Sequence, residues 1–271
     1  HCSNASGDVM RRLLRSLIYA LTTAIGLLAF LYPVLTGSIL TAGQAANTPL
    51  LLTFVVGLSF VALLFEVQGD AVNAKFVALL GILTAMNAAL RFAEVAIPGP
   101  GGFSPIFFLI IVTGYVYGGR FGFLLGALTL LVSALITGGV GPWLPYQMLV
   151  AGWVGLSSPL LRLLTRWLHI EGHWPEVALL ALLGLGWGLL YGALLNLSSW
   201  TFIVGPGAPM PATLRETVRL YSAFYVTTSL VWDLARGFGN VALMLAFGAP
   251  TLRVLRRFHK RFSFTYRLQE A

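Results

Sequence analysis

The sequence predicts an all-α integral membrane protein of about eight transmembrane helices, a six-helix core preceded by two N-terminal helices. Three observations carry this. Of the 271 residues, 58% are hydrophobic and only 10% are charged, where a soluble domain carries about 25% charged residues; mean hydropathy is +0.85. Apolar segments recur at 12–34, 50–67, 75–97, 104–118, 121–138, 143–165, 175–199 and 220–250. Several are near the roughly 20 residues that cross a bilayer at about 1.5 Å per residue. Lys and Arg are also divided unequally between the two sides that an alternating path defines. Arg11, Arg12, Arg15, Lys75, Arg120, Arg162, Arg166, Arg253, Arg256, Arg257, Lys260, Arg261 and Arg267 fall on one side, and only Arg215 and Arg219 on the other. The positive-inside rule makes the first side cytoplasmic, with an even number of spans and both termini inside, in a plasma membrane. The net charge of +8 is explained by that orientation and needs no nucleic-acid partner. A single cysteine, Cys2, excludes an internal disulfide and a cysteine-based metal cluster.

In chain order, residues 1–11 are expected to form a tail and 12–74 a two-helix membrane segment. The core is expected over 75–257, with a basic cytoplasmic tail over 258–271. Arg11, Arg12 and Arg15 before a long apolar run resemble a signal peptide. The run is too long for a typical signal core and no clean small-x-small cleavage site follows, so an anchor is expected. From residue 16 to 65 the chain carries no Asp, Glu, Lys or Arg, and the first two spans read as a scaffold pair. The loop Leu35–Thr48 between them is uncharged, and Glu66–Ala74 is the natural boundary to the core.

The third segment has a small residue at every fourth position: Gly81, Ala85, Ala89 and Ala93. At about 100° per residue these share one face, with Asn87, Arg91 and Glu94 near the opposite side. Small faces let helices approach closely in lipid, and ionisable residues there turn inward. The fourth and fifth segments are separated only by Gly118-Gly119-Arg120. A glycine turn, and the cost of Arg120 at mid-bilayer, favour a hairpin over one long helix. The seventh segment carries Gly184, Gly188 and Gly192, then Asn196, a stripe suited to close helix contact. In the eighth, Ser229, Asp233, Arg236 and Asn240 form one polar stripe, and Asp233 and Arg236, three apart, can pair. That pair is either a structural lock between helices or part of a functional site.

Three uncharged or weakly charged Gly- and aromatic-rich loops are expected on the outer side, at Ile97–Pro105, Gly138–Pro145 and Ser198–Thr217. Thr213 and Glu216 can form a capping box that starts a helix. Trp143, Trp200 and Tyr221 serve either a binding surface or the aromatic belt of the membrane interface. His1, His169, His173 and His259 lie outside the spans, and HIEGHW reads as a solvated loop. No Walker A, HExxH, aspartate-rich prenyltransferase or GxSxG motif occurs. No catalytic residue, metal site or cofactor is expected.

The Ala85-x-x-x-Ala89 helix, followed by FSPIFFLIIVTGYVYGGRFGFLLGALTLLVSALITGGVGPWLPYQMLVAGWVG over 103–155, resembles the membrane-embedded substrate-binding S components of energy-coupling factor vitamin transporters. It looks most like those of the cobalamin-related type. The resemblance covers 75–257, about two thirds of the chain. It implies a six-helix core that takes a vitamin from outside. Gly81, Ala85, Ala89 and Ala93 would contact a transmembrane coupling subunit, and two cytoplasmic ATPase subunits would drive a toppling cycle. The two extra N-terminal helices depart from a minimal S component. Ligand would rest near Asn87, Arg91, Glu94, Trp143, Tyr146, Gln147, Asn196, Trp200, Tyr221 and Tyr225, with cobalamin first and riboflavin or thiamin-like vitamins next. Ser229, Asp233, Arg236 and Asn240 would brace the bundle more deeply. The alternatives are a stand-alone secondary transporter, with the ion pair as its coupling site, and a membrane enzyme or non-catalytic assembly subunit.

Overall fold

The computed structural model describes residues 10, 13–14, 16–28, 30, 54–59, 61, 71–96, 103–141, 143–203 and 214–262. Among them there is no strand, and eight helices follow one another from residue 71: α1 Ala71–Ala96, α2 Ile106–Tyr117, α3 Gly119–Thr137, α4 Leu144–Ser157, α5 Leu160–Trp167, α6 Trp174–Ile203, α7 Leu214–Thr228 and α8 Leu230–Phe262. Five stretches are long and apolar enough to cross a membrane: Ala74–Ala96, Gly119–Thr137, Leu144–Trp167, Trp174–Ser198 and Leu230–Lys260. Ile82, Met86 and Leu90 on α1, and Val231, Phe238, Leu245 and Phe247 on α8, face outward. The described residues thus have the character of a transmembrane helical bundle, apolar outside as well as inside.

The centre is α2. Its sequence, IFFLIIVTGYVY, is apolar all round, and ten of its 12 residues are buried. A helix of that length rises only about 18 Å, short of the roughly 30 Å hydrocarbon layer. It is enclosed by α1, α3, α4, α6 and α8. Gly118, at φ 106°, ends α2 in a conformation that a side chain would strain. The chain then folds back as α3, as the Gly-Gly turn predicts. Gly114 and Gly122 face each other across this turn, and Gly155 of α4 meets both. A Cβ on Gly122 would stand 2.7 Å from the Cα of Gly114 and of Gly155. Farther along, Gly126 lies against the Ala151 backbone, so α3 and α4 run antiparallel at backbone contact.

The other close pair is α6 with α8. Gly184 meets Asn240, Gly188 meets Gly237 and Gly192 meets Asp233. The glycine stripe of one helix is therefore seated on the polar stripe of the next. The segment 220–250 is divided between α7 and α8 at Ser229. Hydrogen bonds from Ser229 N to Tyr225 O at 3.0 Å and from Asp233 N to Ser229 O at 2.9 Å bridge the break.

The N-terminal helix Ser16–Leu28 lies on α3 and α4. Tyr19 meets Phe123 edge-on at 5.3 Å, Arg120 donates to Ser16 Oγ at 2.8 Å, and Gly26 seats against Leu149 and Trp153. Residues 35–48, 97–102 and 204–213, which hold the first connection, most of one expected outer loop and half of another, lie outside the described residues.

Candidate functional site

The site is assembled from α1, the start of α2, and α6 to α8. On α1, Leu80, Leu83, Asn87 and Ala88 are buried, whereas Gly81, Ala85, Ala89 and Ala93 are exposed. A Cβ at Gly81 would meet nothing within 4 Å. Arg91 and Glu94 lie between these faces, near the end of the helix. Arg91 Nη1 donates to Glu94 Oε1 at 2.5 Å, and Ser104 Oγ donates to Glu94 Oε2 at 2.7 Å.

The polar stripe of α8 approaches from the other side. Arg236 Nη1 donates to Asp233 Oδ1 at 2.5 Å, with side chains 18% and 2% exposed. The same guanidinium lies 5.4 Å from the ring centre of Tyr191 on α6, and Phe107 of α2 meets Tyr191 at 4.8 Å. Glu94 is within electrostatic reach of Arg236 as well as Arg91, and Tyr191 feels Arg91, Glu94 and Arg236 together. Two i,i+3 ion pairs therefore lie within electrostatic range of one buried tyrosine, and Arg236 is the cation that stands over its ring. The four charges sum to zero. That suits a place where each unpaired ion would cost several kcal/mol.

Tyr221 and Tyr225 form the adjoining wall. Their rings stack at 6.4 Å and 23°. Tyr221 donates to Ala193 O and Tyr225 to Leu189 O at 3.3 Å, so α7 is fastened to α6. Tyr225 also lies close enough to act on the Asp233 carboxylate, whose buried Oδ2 makes no hydrogen bond of normal geometry. Lower down, Asn240 Nδ2 donates to Gly184 O at 3.4 Å.

Of the sequence-derived ligand residues, Arg91, Glu94, Tyr221 and Tyr225 are brought to this cluster, and Asn196 is one helical turn beyond Gly192. Asn87 is turned to neighbouring helices, donating to Ile106 O at 3.2 Å and Thr129 Oγ1 at 3.1 Å. The contacts of the α4 group run elsewhere. Tyr146 meets Phe30 edge-on at 5.0 Å, Trp143 is 54% exposed and donates to Gly139 O, and the Gln147 backbone N–H donates to Trp143 O. The Trp200 side chain lies outside the described residues. Tyr191, Phe107 and Ser104 were not anticipated. Tyr191 follows Gly188 by three residues on the α6 face that meets α8, which was the available signal.

The cluster supplies two carboxylates, two guanidiniums, phenol hydroxyls and an aromatic wall, a set suited to orienting a polar, ring-bearing ligand. Among the described residues no group of three or more His, Cys, Asp or Glu is placed to hold a metal ion. No protein-family model matches the chain, and no curated protein or solved structure matches it.

Proposed function

We propose that the chain is the membrane-embedded substrate-binding subunit of an ATP-driven importer of the energy-coupling factor type. It captures a vitamin from the outer side and has no catalytic activity of its own. A cobalamin-like compound is the first substrate to test, riboflavin and thiamin-like compounds the next. The supporting observation is the division of α1. Its small-residue face is exposed, free for a coupling subunit, and its other side carries Arg91 and Glu94 into a polar and aromatic cluster. In this reading the bundle has about eight spans, both termini are cytoplasmic in the plasma membrane, and the partners are a transmembrane coupling subunit and two cytoplasmic ATPases. The N-terminal helix rests on α3 and α4, leaving Gly81 to Ala93 accessible.

The two part-buried ion pairs favour a second reading, a stand-alone secondary transporter in which they couple ion movement to uptake. Uptake into proteoliposomes separates the two. The importer requires the coupling subunit and ATP hydrolysis, with no response to proton or sodium gradients. Gradient-driven uptake by this chain alone would establish the second reading.

A further inference from the structure

The opposite end of the bundle holds a second polar assembly. Tyr115, near the end of α2, is 1% exposed. Its hydroxyl donates to Glu176 Oε1 at 2.5 Å and lies 2.8 Å from Thr165 Oγ1. The Gly172 amide donates to Glu176 Oε2 at 2.8 Å, and Arg256 of α8 donates to the same carboxylate. Arg162 of α5 donates to the carbonyls of Tyr115 and Val116. The Arg162 and Arg256 guanidiniums stand 5.6 and 5.9 Å from the Tyr115 ring centre. The two cations, one from α5 and one from α8, are thus held in place by groups from α2 and α6.

Above this floor is a cavity of about 330 Å³, whose lining among the described residues includes Arg162, Arg166, Arg256 and Lys260 and one carboxylate, Glu171. Arg166 and Glu171 pair at 3.2 Å with side chains 63% and 42% exposed, where a pair contributes little. Glu176 is already engaged by Tyr115, Arg256 and Gly172, so it offsets little of the remaining charge. The cavity therefore carries excess positive charge over a floor of low dielectric. Guanidinium forks match phosphate oxygens, and basic pockets between membrane helices suit phosphate headgroups. The size is near the lower end of ligand cavities, roughly 300–1,000 Å³, fitting one or two phosphate groups.

We propose that this cavity is a phosphate-binding site, filled either by the headgroup of an anionic lipid or by a soluble phosphate compound. It is separate from the Arg91–Arg236 cluster and independent of the importer reading. The purified full chain in non-ionic detergent is titrated with pyrophosphate at constant ionic strength, with thermal unfolding followed. In parallel it is placed in nanodiscs of phosphatidylcholine with and without phosphatidylglycerol, and retained lipid is read by native mass spectrometry. Stabilisation by pyrophosphate supports a soluble ligand, and selective retention of phosphatidylglycerol alone supports a lipid headgroup. The double variant Arg166→Glu/Lys260→Glu weakens whichever binding is seen by about tenfold or more, while Arg219→Gln, on α7 at the other end, leaves it unchanged. If circular dichroism finds the double variant unfolded, the single variants Arg166→Gln and Lys260→Gln take its place, each weakening binding about threefold. Binding of neither probe above chloride and phosphatidylcholine, or equal binding by the variants, overturns the site.

Discussion

Gly192 of α6 lies flat against the Asp233 carboxylate of α8, so closely that a Cβ at 192 would fall on its oxygens. This contact lets Asp233 stay buried and paired with Arg236, because no side chain separates the two helix backbones. Gly192→Val is expected to displace the carboxylate and destabilise the protein by about 1–3 kcal/mol. Gly186→Ala, on the same helix with nothing within 4 Å of its Cβ, is the control and stays within about 0.5 kcal/mol. Thermal unfolding in detergent distinguishes them.

The Asp233–Arg236 pair should be costly to break and cheap to remove whole. Asp233→Leu strands a part-buried guanidinium against Tyr191 and is expected to cost about 3–5 kcal/mol, whereas the double variant Asp233→Leu/Arg236→Met recovers most of that loss. A double-mutant cycle measures it. Equal losses in the single and double variants would remove the pairing from the account.

The exposed face of α1 separates folding from assembly. Ala85→Trp and Ala89→Trp are expected to change stability by less than about 0.5 kcal/mol, since both positions are exposed. In the importer reading both keep ligand affinity while co-purification with the proposed coupling subunit is lost. Lost folding would mean that this face packs within the chain.

Tyr115→Phe tests the opposite end. It removes the hydroxyl shared by Glu176 and Thr165 without emptying the site. A loss of about 1–3 kcal/mol in unfolding free energy is expected. No change would mean that Arg256 and the Gly172 amide satisfy Glu176 alone.

The two faces of α1 were legible in the sequence, because a four-residue repeat of Gly81, Ala85, Ala89 and Ala93 maps directly onto one helix face. The glycine stripe of α6 and the polar stripe of α8 were legible for the same reason, as was the turn at Gly118. Features made by several segments were not. Gly114, Gly122 and Gly155 come from three helices and share no spacing. The cations of the basic cavity come from α5 and α8, which only the tertiary fold brings together. Asn87 shows a further limit: its helical face was readable, but its partners, Ile106 O and Thr129 Oγ1, lie on other helices. Ser229 reads as the first member of the polar stripe in one continuous segment, whereas the structure divides that segment at Ser229 between α7 and α8.

The most direct measurement is of what the protein carries. Protein purified from its native membrane, with its small-molecule content identified by mass spectrometry and absorbance, is expected to retain a vitamin. Arg91→Met and Glu94→Gln should reduce its occupancy by about tenfold or more. A preparation that holds no such compound, and binds neither cobalamin, riboflavin nor thiamin on direct titration, would contradict the account.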